Sequence, residues 1–330
     1  MDVYNMQKTA RHPRGTTQCD KSRSRNGTPL PSRRPGPRVL PRRTRRAHLP
    51  AGFGSRDLPC PAAEDISPCE CVVGATYQMD MLCSFVVDFE LARVFEADFP
   101  FKHFRRLELR NSIGLTVLQE GEFGAVKPSR RSWWTSRVPE TLVVVSLSFN
   151  RISEIPVDGL KNVPNIEDFH FQGNNLQYVY PGTFSGLQSL RRLDLLKSNL
   201  KNIPERTFEF SSSSFRELVL TSSNISNIEP NAIKGLKAGS LWLNGNLLKG
   251  LDESAFRPIL TEVGSLYLAG NPLSCGCDIA WLVTRPSLLA KVADDATCSN
   301  GQLLADLDPA ISCSSIWRLQ SRLSIFLKMQ

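Results

Sequence analysis

The 330-residue sequence predicts an α/β solenoid: a horseshoe of about seven stacked repeats with a concave parallel sheet and a disulfide cap at each end. Three observations carry that expectation. A short apolar pattern recurs from Leu142 to Leu273, eight of the nine cysteines flank it in two groups of four, and none lies within it.

The pattern first reads LVVVSLSFNRI, Leu142 to Ile152, apolar at positions one, four, six and eleven, with Asn150 at position nine. Its fourth-position residues are Val145, Phe169, Leu193, Leu218, Leu241 and Leu266, spaced 24, 24, 25, 23 and 25 residues apart. A weaker copy, FRRLELRNS, begins at Phe104. Scattered leucines of a helical bundle would not keep such a period; stacked units do. The alternating apolar residues make a short strand whose side chains point inward. Asn150, Asn174, Asn246 and Asn271 turn the chain at position nine, where an amide satisfies open backbone groups, and Ser112, Ser198 and Ser223 are shorter substitutes. A second apolar residue recurs on the convex side: Phe123, Leu160, Phe184, Phe208, Ile233 and Phe256. No unit buries its apolar face alone, so the units share one core. Pro156, Pro181, Pro204 and Pro230 argue against long convex helices.

Cys60, Cys69, Cys71 and Cys83 precede the repeats; Cys275, Cys277, Cys298 and Cys313 follow them. The ends of a solenoid expose apolar side chains and strand edges, so they need caps. Two disulfides close each cap, each contributing about 2–4 kcal/mol, and they imply an oxidising compartment and hence secretion. The alternative is a pair of four-cysteine zinc sites, since Cys69–Cys71 and Cys275–Cys277 each bring two sulfurs together. Against it, the remaining ligands are single, distant cysteines. Cys19 is left over, as an unpaired thiol or an intermolecular link.

The net charge of +8 is concentrated in the first 58 residues, with 14 Lys and Arg against 3 Asp and Glu. The rest carries 26 against 29, which speaks against a nucleic-acid-binding fold. Residues 1–57 are rich in Arg, Pro, Ser and Gly and are expected to be a disordered basic leader. Its cluster Arg42-Arg43-Thr44-Arg45-Arg46 supports an alternative function, salt-dependent binding of a polyanion or nucleic acid; the plainer reading is a solvated tail. No apolar run of seven occurs in the first thirty residues, so no signal peptide is visible. The leader is therefore expected to be a gene-model artefact standing where a signal peptide belongs.

Residues 58–102 form the N-terminal cysteine cap, in which Phe85-Val86-Val87 is expected to add a strand over the first repeat. The repeats occupy residues 103–273. Leu107 to Val145 is longer than one period, and the surplus falls near residues 126–137, VKPSRRSWWTSR, either a binding loop around Trp133-Trp134 or a spurious insertion. Residues 274–313 form the C-terminal cap, where Ile279, Trp281 and Leu282 are expected to bury against the last repeat. The tail, residues 314–330, is apolar and basic but too short to span a membrane.

The fifth-position column on the concave face reads Glu108, Ser146, His170, Asp194, Val219, Trp242, Tyr267, turning from polar to aromatic. Large aromatics beside Gly239, Ser240, Gly264, Ser265 and Ala269 suggest a partner-binding platform of Val219, Trp242 and Tyr267, with His170 and Asp194 alongside. The alternative is surface aromatics packing on each other. His170 lies between Asp168 and Asp194 with no second histidine near, so it is not assigned as a metal ligand or base. Asn224-Ile225-Ser226 is a glycosylation acceptor, and Asn26-Gly27-Thr28 matches in the leader. No nucleophile with its base, phosphate-binding glycine loop or metal motif is present, and an open sheet offers few pockets. The expected function is a secreted, non-catalytic protein-binding or scaffold module, with no cofactor, no small-molecule substrate and no membrane span.

The repeat resembles the leucine-rich repeat signature L-x-x-L-x-L-x-x-N-x-L. NPLSCGCDIAWL, Asn271 to Leu282, with Cys298 and Cys313, resembles the cysteine-rich C-terminal flank of extracellular leucine-rich repeat proteins. In that family the cap cysteines join first to third and second to fourth. The resemblance thus implies Cys60–Cys71, Cys69–Cys83, Cys275–Cys298 and Cys277–Cys313. More narrowly, CPAAEDISPCECVVGATYQMDMLCS, FEADFPFKHFRRLELRNS and ISEIP resemble the arthropod family of the oplophorus-luciferin 2-monooxygenase non-catalytic subunit. That resemblance implies a small catalytic subunit as partner and no chemistry in this chain.

Overall fold

The computed structural model describes residues 60–73, 79–87, 90, 94, 104–112, 114–116, 142–160 and 163–308. The leader with Cys19 and Asn26, Phe123, the segment 126–137, Cys313 and the tail 314–330 lie outside the described residues.

The N-terminal cap comprises α1 (Ala63–Ile66), β1 (Glu70–Val73) and β2 (Met79–Ser84), with β1 and β2 antiparallel. Along β2, Met79, Met81 and Cys83 are buried and alternate with exposed or half-buried partners, so its period matches the pleat. It pairs in parallel with β3 (Phe104–Arg110), whose Phe104, Leu107 and Leu109 are buried. The strand covering the first repeat is therefore β2, not Phe85-Val86-Val87. In that run only Val86 is buried; Phe85 is 74% exposed and has φ of 60°, which ends the strand.

Successive repeats supply β4 (Val144–Ser146), β5 (Asp168–His170), β6 (Arg192–Asp194), β7 (Asn202–Ile203), β8 (Phe208–Glu209), β9 (Glu217–Val219), β10 (Asn227–Ile228), β11 (Ile233–Lys234), β12 (Ser240–Trp242) and β13 (Ser265–Tyr267). The main sheet has nine strands in the order β1-β2-β3-β4-β5-β6-β9-β12-β13. From β2 onward every pairing is parallel, and the seven repeat strands bound six turns of the solenoid. On the convex side β7 pairs with β10 and β8 with β11, again in parallel. The prolines thus keep these coils extended.

The last coil differs. It forms α2 (Glu253–Glu262), with Pro258 inside and the Asp252 carboxylate accepting a hydrogen bond from Ser254 N at its start. Ala255, Phe256, Ile259 and Leu260 are its buried face, a helical spacing that outweighs the hydrogen bond the proline removes.

One apolar core runs from the N-terminal cap to the C-terminal cap. Leu160, Phe184, Phe208, Ile233 and Phe256 are all buried in it. Phe184 and Phe208 stack at 6.2 Å, and Phe210 and Phe215 at 3.7 Å, carrying side-chain packing from coil to coil.

The position-nine side chains tie neighbouring coils. Asn246 Oδ1 accepts from Ser223 N (2.9 Å) and Ile225 N (3.1 Å), while its Nδ2 donates to Leu220 O (2.9 Å) and Leu243 O (2.8 Å). Asn150, Asn174 and Asn271 bridge in the same way to Leu109, Leu147 and Leu243 carbonyls of the coil before. Ser223 Oγ still reaches Leu195 O at 3.0 Å, but Ser198 Oγ is buried with no hydrogen-bond partner. The ladder is weakest there. Preceding each of these residues the backbone turns left-handed, at Asn111, Phe149, Gly173, Lys197, Ser222, Gly245 and Gly270. Gly173 is also needed for space: a Cβ there would lie 2.6 Å from the Phe149 ring.

Disulfides join Cys60 to Cys71 and Cys69 to Cys83 in the N-terminal cap, and Cys275 to Cys298 in the C-terminal cap. Cys277 is disulfide-bonded as well. These sulfurs are therefore not thiolates free for zinc. The C-terminal cap continues with α3 (Ala280–Val283) and α4 (Pro286–Leu289). Ile279 and Leu282 are fully buried, and the Trp281 indole N–H donates to Leu251 O at 2.8 Å. None of the helices formed by described residues is long and apolar enough to cross a membrane.

Each buried backbone group left without a partner costs about 1–3 kcal/mol. Asn246→Ala is therefore expected to lower stability by about 3–4 kcal/mol, and Ser198→Asn to raise it by about 1 kcal/mol. Urea unfolding midpoints at neutral pH check both, and a loss below about 1 kcal/mol for Asn246→Ala would refute the ladder's role.

Candidate functional site

The registers of the sheet align Glu108, Ser146, His170, Asp194, Val219, Trp242 and Tyr267 in one column. Two residues back, Arg106, Val144, Asp168, Arg192, Glu217, Ser240 and Ser265 form a second. Parallel strands lie about 4.8 Å apart, so each side chain meets the same position of the next repeat.

In the N-terminal half this makes a lattice of ion pairs. Arg105 holds Asp80, and Arg106 and Arg110 both hold Glu108. Arg192 is the hub further along: it pairs with Glu217 and, through Nη2 at 3.2 Å, with Asp194 Oδ2. Asp194 Oδ1 also accepts from Leu196 N at 3.1 Å. His170 Nδ1 stands 3.8 Å from Asp194 Oδ2, too far for a hydrogen bond but within charge attraction if protonated. Burial pushes the Asp194 carboxyl up, but His170, the Leu196 N–H and Arg192 stabilise its charge, and the net result lies below the ordinary aspartate value. Asp194 is thus engaged inside the sheet; His170 remains half-exposed beside it. Sequence reasoning missed Arg192, although the alternation Asp168, Arg192, Glu217 along its column carried the signal.

In the C-terminal half the charges stop. Val219 is buried, and Trp242 and Tyr267 stack with ring centroids 3.7 Å apart and planes 2° from parallel. The aromatics do pack on each other, as the plainer reading held. The Trp242 indole N–H is buried there without a hydrogen-bond partner. The neighbouring glycines have a structural cause. A Cβ on Gly239 would lie 2.3 Å from Arg216 O, and one on Gly264 would lie 2.4 Å from Ala238 O. These residues are small because coils touch there, while Ser240, Ser265 and Ala269 are the half-exposed small residues around the rings.

Other surface features lie away from the rings. Asn224 is exposed, with Nδ2 donating to Asn199 Oδ1 at 3.2 Å. Tyr178 and Tyr180 are exposed and meet edge to face at 4.9 Å. A hydrogen bond to Glu154, and its charge, push the Tyr180 hydroxyl above the usual tyrosine range. A polar cleft of about 480 Å³ is lined by Glu167, Gln188, Ser189, Arg191, Ser213, Ser214 and Arg216. Its Arg191 and Glu167 pair with each other at 3.2 Å. Among the described residues, no group of His, Cys, Asp and Glu is arranged to hold a metal ion.

The sequence profile of the leucine rich repeat family matches residues 140–200. With the stacked coils and the asparagine ladder, this decides the fold. The chain folds as a leucine-rich repeat solenoid. It is 29% identical over 317 residues to the oplophorus-luciferin 2-monooxygenase non-catalytic subunit of Oplophorus gracilirostris, covering 78% of this chain and 88% of that protein. The leucine-rich repeat protein is also 26% identical over 189 residues to Toll-like receptor 9 of Mus musculus, across 57% of this chain but only 15% of the receptor. Keratocan of Bos taurus matches at 29% over 144 residues, 42% of this chain and 39% of keratocan. The crystal structure of human 5T4, trophoblast glycoprotein, superposes with a TM-score of 0.41 at 20% identity, covering 76% of this chain and 97% of that one.

The depressed Asp194 pKa makes a signed prediction. Its charge contributes stability above the unfolded-state value of about 3.9, and that contribution is lost as pH falls through the lower folded-state value. Asp194→Asn is expected to flatten the loss of stability as pH falls below about 4. Urea midpoints measured across that range test it, and an unchanged acid slope would refute it.

Proposed function

We propose that this leucine-rich repeat protein is a secreted, non-catalytic binding or scaffold module, and that the C-terminal half of its concave face takes a protein partner. One observation carries the reading: the Trp242–Tyr267 stack, beside Val219, on a face whose other half is closed by its own ion pairs. Part-exposed ion pairs offer a partner little net charge and little net binding energy, whereas aromatic anchors dominate interface energies. His170, half-exposed at the boundary, would meet the partner's rim. The likeness to a protein named a non-catalytic subunit supports a role beside a separate catalytic subunit. Disulfides near both ends support an extracellular setting.

Two measurements test this. Replacing Trp242 and Tyr267 together with alanine is expected to weaken partner affinity at least about tenfold while the variant still unfolds in one cooperative transition. The partner is first identified by photo-crosslinking from position 242, with position 205 on the convex side as control. Unchanged affinity of the double variant would remove the concave-face reading. Secretion is tested separately on protein from its own source. A glycan on Asn224, released by an amidase that leaves aspartate behind, is expected with the cap cystines intact; bare Asn224 with free cap thiols would overturn it.

A further inference from the structure

The sheet does not stop at β13. Leu266 bridges Val292 in parallel, with Leu266 N donating to Lys291 O at 2.7 Å and Ala293 N donating to Leu266 O at 2.9 Å. The cap segment therefore acts as one more strand, and Ala293 takes the place beside Tyr267 that Tyr267 takes beside Trp242. Ala293 therefore follows Tyr267 in the column as a small, half-exposed residue, on the side of Tyr267 away from its stacked partner Trp242.

Next along the chain are Asp294 and Asp295, both exposed, and among the described residues neither forms a hydrogen bond or ion pair. The cap's cations are turned elsewhere: Lys291 Nζ donates to Leu260 O at 2.6 Å, and Arg285 pairs with Glu253 at 3.2 Å. Residues 274–308 hold five aspartates against one lysine and one arginine, so this end of the face is acidic. An open apolar cleft of about 240 Å³ adjoins it, lined by Leu289, Val292, Ala293, Asp294 and Leu304 among others.

We infer that the concave-face partner places an arginine side chain over Ala293, its guanidinium stacked on the outer face of Tyr267 and paired with Asp294 and Asp295. This inference rests on the concave-face reading and names the chemistry of the group recognised there. A guanidinium is flat, as a third member of the stack must be, and cationic, as the aspartates require. A lysine meets only the charge, and an aromatic ring meets only the shape. The apolar cleft then receives the neighbouring apolar side chain of the same basic segment.

The test uses the full chain labelled with 3-fluorotyrosine, the Tyr267 signal being assigned by Tyr267→Phe. The probes are the tripeptide acetyl-Gly-Arg-Gly-amide and its citrulline counterpart, which is flat but uncharged. The arginine peptide is expected to move the Tyr267 fluorine signal at millimolar concentration, the citrulline peptide about fivefold less, with the difference shrinking in high salt. Asp294→Asn with Asp295→Asn should weaken the arginine response about fivefold, and Ala293→Leu should abolish it by filling the site. Equal responses to the two peptides, or a response that survives Ala293→Leu, would overturn the inference. Partner affinity separates the two ideas. If the Trp242/Tyr267 double variant fails to bind while Ala293→Leu and the aspartate variants bind normally, the concave-face reading stands and the arginine site falls. If none of these variants matters, the concave-face reading falls with it.

Discussion

Each coil of this protein is incomplete until another lies against it. Its strand has peptide groups on both edges, its apolar side chains point along one line, and its turn exposes carbonyls that no residue of the same coil can reach. The ninth-position asparagines meet the last of these needs with four lone-pair and N–H directions spread over two coils, as Asn246 does between Leu220, Leu243, Ser223 and Ile225. Stability is therefore shared between neighbours rather than held within a repeat, as nearest-neighbour solenoids require. The two ends are then the costly places. The N-terminal cap answers with β2, which completes the β3 edge, and with β1, which reverses direction and leaves a short antiparallel rim.

The same in-register stacking decides what the concave face can be. Because like positions face each other at every step, a column of equal charges would repel and a column of large rings would collide. The chain solves this twice. Around Arg192 the charges alternate, so that Asp194 and Glu217 share one guanidinium. Around Trp242 the rings lean together until they touch at 3.7 Å, closer than the strands that bear them. The first arrangement neutralises a stretch of the surface; the second leaves two stacked, half-exposed rings.

Much of this was legible in the sequence, because the period reports the strand positions directly. Val145 through Leu266 are all fully buried, and the asparagines at position nine bond as their spacing suggests. What could not be read had local causes. Phe85-Val86-Val87 misleads as a cap strand because three adjacent apolar residues outweigh the alternation of Met79, Met81 and Cys83, which is the better strand signal. The helix α2 is hidden by Pro258, and only the pairing of Ala255 and Phe256 with Ile259 and Leu260 reveals it. Gly239 and Gly264 look like the floor of a binding site. Their cause is the carbonyl oxygen of the coil below, a contact that no single repeat contains.

The C-terminal cap shows why such contacts matter for function. A cap is commonly pictured as a lid that keeps water from the last apolar layer, and Ile279 and Leu282 do serve that purpose. Yet the Leu266–Val292 bridge carries the sheet's register into the cap, so that Ala293 inherits a column position that belongs to the concave face. The concave face is therefore longer than the repeats. It also changes character at the seam, from aromatic at Trp242 and Tyr267 to acidic at Asp294 and Asp295. A solenoid selects its partner through the sequence of side chains along each column. Here the column ends on a small residue, Ala293, followed by two exposed carboxylates, Asp294 and Asp295, so the aromatic and acidic parts of the face meet at the cap.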